Sequence, residues 1–119
     1  IWNIIFDTKI QGEFGMKKIV GFENHGGRTY LGENVKPLGT VSKGFGNNGK
    51  DETEGAIFKN SLCSYLHGPI LPKNPELADF FIRTALERKY NKKIRLQNLD
   101  DKFEQKAREV VAKRLKVDL

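Results

Sequence analysis

The chain has 119 residues, 38% of them hydrophobic, and 21 Lys and Arg against 15 Asp and Glu give a formal charge of +6, which suits one small domain, or part of a larger one, with a modest core. Its single cysteine, Cys63, excludes an internal disulfide framework and a CxxC metal site and fits a reducing compartment, the cytoplasm. No apolar run approaches the roughly 20 residues of a membrane span, and the start lacks the basic and apolar regions of a signal peptide.

The chain opens on Ile1 and on IWNIIF, which reads as the inside of a strand, so a fragment of a longer protein is expected. Ile1 to Ile10 and Met16 to Glu23 are rich in Ile, Val and Phe and flank QGEFG. They are expected to be two antiparallel strands joined by a hairpin turn. From His25 to Gly55 glycine and asparagine concentrate in HGGRTYLGEN and KGFGNNGKDETEG, which reads as loop with one short strand. AIFKNSLCSYL, Ala56 to Leu66, returns to β-type residues and is expected to be one strand ending at His67.

After the loop HGPILPKN, Asn74 followed by Pro75 signals a helix start, with the asparagine side chain as acceptor for an early N–H and proline at the first helical position. Leu77, Phe81, Thr84 and Ala85 share a face of it. The linker YNKKIRLQ leads to a second helix, capped by Asn98 or Asp100, with an expected buried stripe of Phe103, Ala107, Val110, Val111 and Leu115. The basic surplus in ERKYNKKIR and AREVVAKRLK reads as a solvated face. Nucleic acid is disfavoured, since no base-stacking aromatic pattern and no zinc spacing accompany the charge. The order, strands then a glycine-rich loop, a strand and two helices, suits the later half of an α/β domain better than a complete one.

Few residues are candidates for chemistry. His67 stands at a strand-to-loop junction, where an imidazole titrating near neutral pH serves either as a rigidly mounted base or as a structural side chain. Cys63 lies four residues earlier, about 13 Å away if the strand is continuous, too far for a thiolate–imidazole pair, and is expected to be a small buried residue. Glu23, His25 and Arg28 surround two glycines in GFENHGGRTYLG. They either bind a carboxylate or phosphate through Arg28 or merely cap a loop. GFGNNG lacks the spacing of a nucleotide fingerprint.

VGFENHGGRTYLG, GFGNNGKDETEGAIFKN and SYLHGPILPKNPELADFFI together resemble the later half of the cobyric-acid-synthase-like class I glutamine amidotransferases. Within that family they are most similar to the glutaminase subunits that serve amidation of the peptidoglycan precursor. The resemblance runs from about Ile1 to Phe103. It implies the C-terminal half of a flavodoxin-like three-layer α/β domain in which a cysteine attacks the side-chain amide of glutamine and a histidine, matched here by His67, takes its proton. The cysteine would lie in the N-terminal half of the domain, absent here, so this chain alone is expected to be inactive. His67 is followed by Gly68 and Pro69 in place of the family's frequent His-Pro-Glu, so a carboxylate partner must come from elsewhere in the fold or from another subunit. The resemblance further implies no cofactor and no metal in this chain. A Mur-ligase-like synthase subunit of the MurT type would use ATP and Mg to activate the D-glutamate carboxylate that receives the ammonia. Glu23, His25 and Arg28 match the family's GFENHGGRT segment. A cobyrinate or cobyrate amidating enzyme, and a non-catalytic binding module, are the alternatives.

Overall fold

The computed structural model describes residues 2–8, 10, 18–67 and 69–119; the expected QGEFG turn lies outside them. The chain runs β1 (Trp2–Thr8), β2 (Lys18–Glu23), β3 (Gly39–Lys43), β4 (Thr53–Glu54), β5 (Ala56–Phe58), β6 (Ser61–Cys63), a 3-10 turn (Leu71–Lys73), α1 (Pro75–Tyr90) and α2 (Lys102–Leu115). β1 to β4 form one sheet in the order β2-β1-β3-β4, and its pairs are antiparallel.

The expected pairing of the first two strands holds, with Ile5 opposite Val20 and Phe6 opposite Ile19. Side chains alternate across a strand, so β1 and β2 feed both faces. Ile4, Phe6 and Ile19 pack with Leu38 and Leu77 on one face, while Ile5 and Val20 pack with Ala112 of α2 on the other. The result is three layers, with α2 below the sheet and the start of α1 above it, as expected of a partial α/β domain of this kind. Among the described residues no helix is long and apolar enough to cross a membrane.

Four local expectations need correction. The segment from His25 to Gly55 holds two strands, β3 and β4, where one was expected. Ala56 to Leu66 is not one strand. β5 and β6 form a separate hairpin turning at Lys59, which adopts φ 53°. Alternation along β6 then sends Leu62 inward and Ser61 and Cys63 outward, so Cys63 is exposed, not buried. The second helix is rotated from its expected stripe: Arg108 and Ala112 are buried and Val111 and Leu115 pack behind them, whereas Phe103 and Val110 stand in solvent. Arg108 is tolerated inside because its guanidinium donates to the Lys18 carbonyl at 2.9 Å and lies 3.6 Å from the Glu76 carboxylate. Finally, Asn74 precedes α1 as expected, but its side chain makes no cap bond to the helix. It turns instead to β2, accepting from the Val20 N–H and donating to the Val20 carbonyl. Asp100 does accept from the Lys102 N–H at 3.3 Å, although Asp101 is the residue that flanks α2.

Candidate active site

The site begins where β2 ends. Alternation along KIVGFE puts Ile19, Gly21 and Glu23 on one face, and Glu23 is buried there. Its carboxylate is held by two backbone donors, the N–H groups of Phe45 at 2.7 Å and Gly46 at 2.9 Å. Such charge-assisted bonds satisfy a buried anion that would otherwise be costly. Gly46 has φ +63°, and a Cβ there would collide with the Thr53 carbonyl, so the turn that presents these two donors requires glycine.

His25 follows on the exit from β2. Its Nδ1 donates to the Gly27 carbonyl at 2.9 Å, and its Nε2 lies 3.4 Å from Glu23 Oε2. The ring stacks on Tyr65, with centroids 3.8 Å apart and planes 8° from parallel. Tyr65 in turn shares a 2.8 Å hydrogen bond with the Thr29 hydroxyl. Thr29 is tied to the glycine-rich loop, since its N–H donates to the Asn47 carbonyl and its carbonyl accepts from Asn48 Nδ2.

Between these two loops opens a cleft of about 470 Å3, walled by Glu23 to Arg28 on one side and by Phe45 to Lys50 on the other. Arg28 is exposed in it. Among the described residues neither the Arg28 guanidinium nor the Lys50 ammonium has a hydrogen bond or ion pair, and both residues line a cleft whose one carboxylate, Glu23, is already held by backbone donors. That arrangement suits an anionic group, and the Arg28 fork suits a carboxylate.

The segment carrying His67 is seated against the same strand exit. Leu66 bridges Glu23, and the His67 N–H donates to the Phe22 carbonyl at 3.0 Å. Gly21 makes this approach possible: a Cβ on it would lie 2.6 Å from a Leu66 methyl carbon. The imidazole stacks on Phe22 and contacts the Asn24 carbonyl through Nε2 at 3.2 Å. A carbonyl only accepts, so Nε2 carries a hydrogen in this contact. His67 does not line the cleft; Asn24, which holds it, does. The structure seats His67 on Phe22 and Asn24, outside the cleft that Glu23, His25 and Arg28 line together, and leaves Cys63 on a different surface, in a small groove with Thr29 and Tyr65.

Sequence reasoning passed over Asn24, Asn47, Asn48, Glu54 and Tyr65. Asn47 and Asn48 are buried and knit the glycine-rich loop: Asn47 exchanges two bonds with the Gly55 backbone, and Asn48 accepts from the Lys50 and Asp51 N–H groups. Glu54 is fully buried and accepts from the Ser64 hydroxyl and the Tyr65 N–H. Burial pushes its carboxyl above the ordinary range, partly offset by these two donors. The readable signal was the run of glycines: Gly44, Gly46 and Gly49 all have positive φ. No group of three His, Cys, Asp or Glu among the described residues is placed to hold a metal ion.

Residues 4–75, a span that contains Glu23, His25, Arg28 and His67, match the CobB/CobQ-like glutamine amidotransferase domain, and the chain belongs to that family. Over 71 residues it is 58% identical to the GatD subunit of the glutamine-hydrolysing lipid II isoglutaminyl synthase of Staphylococcus aureus, covering 60% of this chain and 28% of that protein. The GatD subunit of Streptococcus pneumoniae is 45% identical over 107 residues, 90% of this chain and 41% of its own length. A probable cobyric acid synthase of Methanothermobacter thermautotrophicus is 38% identical over 85 residues, 71% of this chain and 16% of that protein. The chain therefore spans less than half of the length of these relatives.

Proposed function

We propose that this chain is the base-bearing half of a glutaminase domain whose nucleophilic cysteine lies in an N-terminal half that precedes it. The single observation that carries the reading is the seating of His67: its imidazole is anchored by the carbonyl of Asn24, a wall of the cleft that presents Arg28. In this mechanism His67 takes the proton of the cysteine thiol, and the thiolate attacks the side-chain carbonyl carbon of glutamine. His67 then returns the proton to the departing nitrogen, which leaves as ammonia. Water cleaves the thioester to give glutamate. Arg28 grips the α-carboxylate of glutamine, and a carboxylate from the rest of the fold or from a partner orients the imidazole.

The ammonia passes to a synthase subunit of the Mur-ligase-like MurT type, which uses ATP and Mg in the cytoplasm to activate the D-glutamate carboxylate of lipid II. The resemblance to two GatD subunits supports this acceptor. The cobyric acid synthase relative favours a second acceptor, a corrinoid carboxylate.

In the full-length protein, His67→Ala should nearly abolish ammonia production from glutamine while Cys63→Ala leaves it largely intact, and the 119-residue chain alone should release no glutamate. Unimpaired hydrolysis by His67→Ala would make the chain a binding module. Equal losses from both substitutions would make Cys63 the nucleophile. Amidation of lipid II, and not of cobyrinate, by the protein with its synthase decides the acceptor.

A further inference from the structure

On the far side of the β5–β6 hairpin lies a second, larger concavity of about 860 Å3, within the roughly 300–1,000 Å3 typical of small-molecule sites. Most of its apolar lining comes from two elements, with Ile10 and Pro37 beside them. Ile57 and Leu62 are cross-strand partners in the hairpin, so their side chains share a face. Phe80 and Phe81 head a stripe of α1 that continues through Thr84 and Ala85 to Arg88 at helical spacing. Phe81 keeps 40% of its surface exposed within this chain.

Its charged groups have one sign. Lys36, Lys59 and Arg88 reach it from three separate elements, and no carboxylate lines it among the described residues. None of the three cations has an ion pair or a side-chain hydrogen bond among those residues, and Lys59 only lies over the Phe58 ring, 5.3 Å from its centroid. A merely solvated face would intersperse acids and bases; here the charged residues around the apolar side chains are all cations, and Thr8, Asn60 and Thr84 are the neutral polar ones.

We propose that this groove binds an anionic amphiphile, a molecule with one apolar chain and one carboxylate or phosphate head. The apolar chain covers Ile57, Leu62 and the two phenylalanines, and the head is taken by Arg88 with Lys36 or Lys59, where a planar guanidinium donates to either oxyanion in a fork. The site is separate from the cleft at Arg28 and does not depend on the glutaminase reading.

The test is calorimetric titration of the full-length protein with dodecyl phosphate and, separately, dodecanoate, each below its micelle concentration, with dodecyltrimethylammonium and inorganic phosphate as controls. One-to-one saturable binding of either anion is expected, the better of the two defining the head group. Arg88→Gln and Phe81→Ser, both at exposed positions, should each weaken it about tenfold, and Lys36→Gln about fivefold. Absence of saturable binding, equal binding of the cationic amphiphile or of inorganic phosphate, or affinities unchanged in Arg88→Gln and Phe81→Ser would overturn the proposal. Intact circular dichroism of the variants keeps their losses attributable to the groove.

Discussion

The carboxamide of Asn74 pairs with both backbone groups of Val20, accepting from its N–H at 2.9 Å and donating to its carbonyl at 2.8 Å. One side chain thereby stands in for a neighbouring strand on the outer edge of β2. A third bond, to the Ile70 carbonyl at 2.6 Å, fixes the amide from behind. The adjoining outward carbonyls on that edge are also occupied, Lys18 by Arg108 and Phe22 by the His67 N–H, so an edge that would otherwise invite pairing is closed.

Asn74→Ala should therefore cost about 2–4 kcal/mol, since each buried polar group left without a partner costs roughly 1–3 kcal/mol. Asn74→Asp is the sharper test: it keeps an acceptor for the Val20 N–H but loses both donors and sets an anion beside two carbonyls. Urea unfolding should show it nearly as damaged as the alanine variant. Stability within about 0.5 kcal/mol of wild type for Asp would show that the donors contribute little.

Gly21 and Leu66 make a second prediction, one about catalysis. Gly21→Ala pushes a methyl into Leu66 and displaces the segment that carries His67, so ammonia production in the full-length protein should fall about tenfold in kcat. Adding Leu66→Ala returns the space and should restore most of the rate. A double variant no better than Gly21→Ala would separate the Gly21 contact from the placement of His67.

Glu54 supplies a pH dependence. Its carboxyl binds a proton more tightly in the folded chain than the ordinary value of 4.5, so its contribution to stability is full below about 4.5 and is lost as pH rises through the raised folded value. Glu54→Gln keeps an oxygen for Ser64 and Tyr65 and has no proton to lose. Its melting temperature should gain on wild type between pH 4.5 and neutrality; an offset that does not change with pH would remove Glu54 as the cause.

Arg28→Lys preserves charge but not the two-pronged grip, and should raise the KM for glutamine about tenfold while leaving kcat within about twofold. Steady-state kinetics of the full-length protein reads both. Unchanged KM, kcat and affinity for the synthase subunit would make Arg28 a loop decoration; weakened subunit affinity alone would place it at the interface.

The two edge-to-edge strands and both helices were legible because each carries its own period, and Asn74–Pro75 marked the start of α1 correctly. The role of Asn74 was not legible: a cap and a cross-chain clamp use the same amide, and only the distance to Val20 separates them. The turn at Lys59 escaped because a lysine, not a glycine or asparagine, takes the left-handed conformation. The face of α2 was misjudged because a buried Arg108, paired through Lys18 and Glu76, is invisible to a hydrophobic pattern. In the site, Glu23, His25 and Arg28 stood out as charges around glycines. Asn47 and Asn48 looked like ordinary loop residues, and their work is backbone bonding to Thr29, Gly55 and Asp51, which composition does not encode.

Arg108 and the Lys18 carbonyl it satisfies are separated by 90 positions. At a synthesis rate of roughly 5–20 residues per second, the ribosome makes β2 on the order of ten seconds before it makes the arginine that closes that edge. For that interval the nascent sheet has an open carbonyl and no α2 beneath Ile5 and Val20. Newly made chains should accordingly lean on a ribosome-associated chaperone, and messages truncated ahead of Arg108 should yield aggregates even though β1 to β6 have been translated.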